Sequence, residues 1–416
     1  MQYFSRFLAG ATLLACATVA STAASADPAR LRAAMQRMDI AGMKGAAETP
    51  AEKLLAEAVE FSWTLRDDEA GEKFPAAIGA QSDNALRAAA LWELASLRAR
   101  QGEFSASIAA GEVAAQLEPP TASELQALVF MKGLADVAPT RALGDPAGEA
   151  PIKRDLAGLR RADISIGGVT AGAILDTGAN FSTINTTMAK RMGLHILDAE
   201  VSVGSSSRDA VPSRLGVAER LTIGDAIFTN VVFIVLPDAD LSFANGAYTI
   251  EAILGMPVFF EMERIAFAKV DGNEVFQFGD KAPAVSGAAR NILYNGQSPL
   301  IDLSVNVNGA PQRLSLLLDS GAQQTSFSAR IPAEFPALLE DAATVTSQRG
   351  GAGGVVVSDK TRRIASLDAT VGGKAVTLKN IDVHEDLEDD RHGILGLDAL
   401  GAEFTIDWKA GVLVAN

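Results

Sequence analysis

The sequence predicts an α-helical N-terminal region followed by a mainly β body made of two similar lobes, and three observations predict it. Residues 27–139 are rich in Ala, Leu, Glu and Arg, with apolar residues at helical spacing in Leu54, Leu55, Ala58 and Val59 and again in Leu125, Leu128 and Val129. Past the turn-forming stretch Gly144, Asp145, Pro146, Ala147 and Gly148, the pattern changes to short β-branched runs punctuated by glycine. The body then repeats itself. Residues 162–182 (ADISIGGVTAGAILDTGANFS) parallel residues 301–325 (IDLSVNVNGAPQRLSLLLDSGAQQT). Each copy reads as a strand, a Gly-containing turn, a second apolar strand, and then Asp, a hydroxyl residue, Gly and Ala. Ile253, Leu254 and Gly255 likewise parallel Ile394, Leu395 and Gly396. Asp176 precedes Gly255 by 79 residues and Asp319 precedes Gly396 by 77, so both halves keep nearly one internal ruler.

The first 26 residues read as an export signal: Arg6, the apolar run 7–20, and the small residues Ala24, Ser25 and Ala26. That run is too short to span a membrane, and no later apolar stretch approaches the roughly 18 residues of a spanning helix. The expected location is therefore periplasmic or secreted. A lipobox at Leu13, Leu14, Ala15 and Cys16, with Cys16 acylated, is the alternative. The expected boundaries are 1–26 for the signal peptide, 27–145 for the helical domain, 151–283 for the first lobe and 290–416 for the second.

Within the helical region, residues 90–119 resemble one tetratricopeptide repeat. Trp92 and Leu94 stand on the first helix, Gly102, Glu103 and Phe104 at the turn, and Ile108, Ala114, Ala115 and Leu117 on the second, with Pro119 as the stop. Such a repeat cannot bury its apolar face alone, so residues 50–66 and 121–137 should stack on it and offer a surface to a protein partner. An unrelated Ala-rich bundle is the other reading.

Composition excludes several chemistries. The chain of 416 residues carries 36 Lys and Arg against 51 Asp and Glu, a formal charge of −15 that repels nucleic acid. One cysteine and three histidines leave little material for thiol catalysis or Cys/His zinc clusters, so no metal or cofactor is expected. His384 and His392 among Glu385, Asp386, Glu388, Asp389 and Asp390 read as a solvated acidic loop. Lys153, Arg154, Arg160 and Arg161 read as a solvated basic linker, or as a patch that helps a detachable N-terminal region cover a cleft. The remaining chemistry must come from carboxylates, hydroxyls and backbone.

One Asp-Thr-Gly triplet fits an ordinary polar turn. Two copies, each preceded by apolar residues and followed by its own apolar pair and Gly, form a stronger pattern. It runs Ile174, Leu175, Asp176, Thr177, Gly178, Ala179 with Ile253, Leu254, Gly255, then Leu317, Leu318, Asp319, Ser320, Gly321, Ala322 with Ile394, Leu395, Gly396. This pattern resembles the aspartic peptidases of the pepsin and retropepsin superfamily over residues 152–416. The Ala after each Gly looks more like the retropepsin branch, whereas both lobes in one chain are pepsin-like. The resemblance implies a bilobal acid-protease fold, Asp176 and Asp319 as a catalytic dyad, and Thr177 and Ser320 bracing each other's loops. It also implies a polypeptide substrate bound extended in the cleft.

The physical logic stands beside the resemblance. Hydrolysis without a metal or covalent nucleophile needs a base to activate water and an acid to protonate the carbonyl, and two adjacent carboxylates sharing a proton supply both. Gly178 and Gly321 let each loop approach its mate. A closing flap is also required. Candidates are residues 201–211, with Gly204 and Ser205 at the tip, and residues 350–357, with Gly350, Gly351 and Gly353. Neither contains Tyr, a departure from pepsin. A peptide-binding module on the same fold, without turnover, remains the alternative function.

Overall fold

The computed structural model describes residues 27–204 and 210–415. The expected signal segment, Cys16 and Ser205 lie outside the described residues.

The N-terminal region is helical: α1 (Pro28–Gln36), α2 (Ile40–Ala46), α3 (Pro50–Trp63), α4 (Asp67–Ala80), α5 (Asn84–Arg100), α6 (Phe104–Leu117) and α7 (Ala122–Lys132). Local chemistry marks the starts. Thr49 and Thr121 each cap a helix whose third residue, Glu52 or Glu124, reaches back to the cap backbone. Helices α5 and α6 turn back on each other through Gly102, whose φ of +75° suits a residue without a side chain. Gly111 lets α6 approach Trp92 of α5 closely. Leu55, Val59, Trp63, Phe74, Leu86 and Leu97 form the core of this unit.

The rest is mainly β. A nine-stranded sheet contains Val169–Leu175, the strand that leads into Asp176, with Ala252–Leu254 parallel beside it. An eight-stranded sheet repeats the arrangement with Ala310–Leu318, which leads into Asp319, and Gly393–Leu395 parallel beside it. Parallel pairing is what lets an Asp and a distant Gly end side by side at the C-terminal ends of two neighbouring interior strands in each sheet. A third, five-stranded sheet draws on both halves, pairing Arg264–Val270 with Phe404–Asp407. Its aromatic residues Phe267, Phe276, Phe278 and Phe404, together with Trp408 and Tyr294, weld the two halves into one buried core. Among the described residues no helix is long and apolar enough to cross a membrane.

Four expectations need correction. The expected boundaries at 145 and 151 do not part the helices from the β body, because Arg141–Ala142 pairs with the Ala226–Leu236 strand and Gly148–Pro151 with Asn273–Phe278. The β body thus begins before residue 151. Nor does residue 290 separate the halves cleanly, since the C-terminal strands complete a sheet begun near residue 264. The basic cluster is not a solvated linker: Arg160 is 1% exposed, its Nη2 donates to Gly401 O (3.1 Å) and Ala402 O (2.7 Å), and its guanidinium lies over the Phe267 ring at 4.8 Å. Burial pulls its pKa down to about 10. Lys153, Arg154 and Arg161 are tied to Asp163, Glu274 and Asp155. Finally, His384 and His392 are buried. The His392 Nδ1 accepts from the Ser315 N–H (3.0 Å), so the acidic loop is solvated but its histidines are not.

Candidate active site

Each Asp sits at the C-terminal end of a buried apolar strand, which fixes its backbone before its side chain enters the site. Asp176 N–H donates to Leu254 O and Asp319 N–H to Leu395 O, both at 3.1 Å. In each turn the N–H two residues on, Gly178 or Gly321, donates to the Asp Oδ1 at 2.8 Å. These bonds hold each carboxylate in one orientation.

The two turns then lock onto each other. Thr177 Oγ1 donates to Leu318 O (2.7 Å) and accepts from Ser320 N–H (3.0 Å). Ser320 Oγ donates to Leu175 O (2.7 Å) and accepts from Thr177 N–H (3.1 Å). Both residues are fully buried, so every polar atom of this crossed set has its partner. The glycines allow the approach: a Cβ on Gly178 would lie 2.7 Å from Asp319 Cγ, and one on Gly321 2.5 Å from Asp176 Cγ. The two carboxyl groups lie close enough for the charge of Asp319 to act on Asp176. Asp176 and Asp319 are therefore brought together across 143 residues of sequence.

Gly255 and Gly396 support the turns from below. A Cβ on Gly255 would meet Ala179 O at 2.7 Å, and one on Gly396 would meet Gln324 C at 2.5 Å. Sequence reasoning passed over two hydroxyls here. Ser182 Oγ accepts from Gly255 N–H and Thr325 Oγ1 from Gly396 N–H, both at 3.1 Å. Each stands six residues after its Asp, a spacing present in the duplicated segments.

Electrostatics makes the pair unequal. Desolvation raises the Asp176 pKa well above the usual carboxylate range, and the charge of Asp319 raises it further. Desolvation also raises Asp319, but its hydrogen bonds from Asp176, Gly321 and Ala322 and the nearby Arg391 guanidinium oppose the rise. Two desolvated carboxyl groups this close resist ionising together, so the arrangement favours a pair that holds one proton between them. Arg391 has no signal in the duplicated motif, because it belongs to one half only.

The described parts of both flap candidates lie at the ends of paired strands. Gly204 follows the strand His195–Val203, which pairs with Val211–Ile223. Gly350 and Gly351 end the strand Ala343–Gly351, Gly353 is in its turn, and Gly354–Val371 returns. The second tip reaches the first half, where Gly353 N–H donates to Asp240 O (3.0 Å) and Ala352 packs in a cluster with Phe243 and Tyr248. Among the described residues no group of three or more His, Cys, Asp or Glu is placed to hold a metal.

A family model described as aspartyl protease matches residues 162–258, which include the Asp176 turn, the first hairpin and Gly255. No curated protein matches the chain. Residues 162–258 form an aspartyl protease-like domain, within a β-rich body that follows a helical region.

Proposed function

We propose that the protein is an exported aspartic endopeptidase with a bilobal, retropepsin-like body, in which Asp176 and Asp319 activate the attacking water. The observation that carries this reading is the crossed set of four hydrogen bonds made by the Thr177 and Ser320 hydroxyls, which sets each Asp carboxyl against the glycine of the opposite turn. A binding protein has no need to press two acids into one desolvated site. An acid–base catalyst does.

In this mechanism ionised Asp319 takes a proton from water as its oxygen attacks the peptide carbonyl carbon. Asp176 gives its proton to the carbonyl oxygen, so a neutral diol forms. Asp319 then gives its proton to the amide nitrogen as the C–N bond breaks, Asp176 takes a proton from a hydroxyl of the diol as the new carboxyl group forms, and the pair returns to its starting state. Arg391 favours Asp319 as the ionised partner. The two hairpins close over an extended substrate and keep bulk water out. The export reading rests on residues 1–26, and the partner role of the helical unit on its tetratricopeptide-like segment.

A peptide-library digest tests the reading. Wild-type protein should cleave with a bell-shaped pH dependence, acidic to near-neutral in optimum and indifferent to chelators. Asp176→Asn or Asp319→Asn should lower turnover by about 10³-fold or more. Peptide binding without cleavage by the wild type would establish the non-catalytic module instead.

A further inference from the structure

The helical unit touches the first hairpin at its working end. On α7, Gln126 Nε2 donates to Ser202 O (2.8 Å), two residues before Gly204. Ser202 lies opposite Pro212 across the hairpin, and proline has no N–H to offer. Four residues along the same helix face, Phe130 packs on Phe181 with ring centroids 4.9 Å apart. Phe181 is the fifth residue after Asp176. Phe130, Phe181, Val201 and Leu215 share one buried cluster, so a single helix contacts both the hairpin and the segment leaving the Asp176 turn. At the end of α7 a Cβ on Gly133 would lie 2.8 Å from Leu215 Cδ1 and 3.0 Å from Ala199 Cβ. The helical unit is also anchored elsewhere, since Arg100 of α5 donates to Gly296 O (2.7 Å) and pairs with Asp67. The second hairpin instead rests on the first half through Gly353 and Ala352.

We infer that α7 is a positioning element for the first hairpin, and that Gln126 and Phe130 set where the hairpin stands relative to Asp176. The N-terminal helices are then part of the substrate-binding machinery, and neither a detachable prosegment nor a module that can be cut away without consequence. The consequence for binding rests on the peptidase reading, whereas the mechanical claim does not.

The test uses the full chain. Gln126→Glu keeps the side-chain volume and removes the donor, Gln126→Lys restores a donor of similar reach, and Phe130→Leu thins the stacked contact. Amide hydrogen exchange over residues 195–223 should quicken about five- to tenfold in Gln126→Glu and Phe130→Leu, and stay near wild type in Gln126→Lys. Exchange over residues 343–384 should not change. KM for an extended peptide should rise in the first two variants, with kcat and the pH profile unaltered. Unchanged exchange over 195–223, or an equal rise in both hairpins, overturns the inference. So does a fast-exchanging hairpin with unaltered KM. If the wild type cleaves nothing, the exchange results still decide the mechanical claim, so its failure is separable from that of the peptidase reading.

Discussion

The Asp176 half and the Asp319 half agree atom for atom where the two turns meet, and diverge a few residues away. Both have the same Asp N–H bond to the parallel strand, the same Gly N–H to Oδ1, and the same hydroxyl six residues on, gripping the Gly of that strand. Beyond this, Asp398 accepts from Thr325 in the second half, whereas Pro257 stands in the corresponding place in the first. Arg391 and the two buried histidines belong to the second half alone, and α7 backs only the first hairpin. The difference teaches that the strand pairing and the braces that hold the carboxylates together are common to both halves, whereas what surrounds them is not. On the proposed peptidase reading, the shared braces hold the two acids together and the differing surroundings distinguish them.

The comparison breaks most visibly if the glycines are not equivalent. Gly178→Ala and Gly321→Ala each push a methyl group into the opposite carboxyl group, and each should reduce kcat by about 10²-fold or more through misplacement of the pair. Steady-state kinetics in which one variant is nearly wild type would mean that the turns are held asymmetrically. Next come the hydroxyls. Thr177→Val and Ser320→Ala each strand one buried N–H and one buried carbonyl, at about 1–3 kcal/mol per group. Denaturant unfolding should show similar losses for the two, because each hydroxyl serves its own buried N–H and its own buried carbonyl on the opposite turn.

Smaller effects sharpen the difference between the halves. Burial lowers the His384 pKa to about 4, so this ring is neutral in the fold and binds a proton more readily once unfolded. Its contribution to stability is present above the unfolded value of about 6.5 and is lost as pH falls towards 4. Thermal unfolding should therefore show an acid-side loss that His384→Gln diminishes. The raised carboxyl groups act in the opposite sense, since folding favours their protonated form. Their burden on stability grows as pH rises from the unfolded Asp value through the folded one. The smallest expected change is for Arg391→Gln. Removing that cation should raise the Asp319 pKa and move the acidic limb of the pH–rate profile upward, with kcat at the optimum little altered. An unmoved limb would show that Arg391 has no part in choosing the ionised member.

Much was legible in the sequence because it is carried by short-range pattern. Helical spacing near Leu54 and Leu125, glycine-punctuated β-branched runs, and two copies of Asp, hydroxyl, Gly and Ala are properties of neighbours in the chain. They were enough to predict helices followed by a duplicated β body, and to select Asp176 and Asp319 as the residues to bring together. Only tertiary structure decided what depends on contacts between distant segments. Arg160 reads as one more linker cation until the Phe267 and Phe404 strands close over it. His384 and His392 look solvated because their neighbours in sequence are acidic and exposed, whereas the fold buries both rings, His392 between the Ser315 N–H and Glu334. The docking of Gln126 and Phe130 on the first hairpin leaves no periodic trace, since one helix face can bury itself against many surfaces. Local propensity is written residue by residue, but burial is a sum over the whole fold, and that sum exists only once the chain has closed.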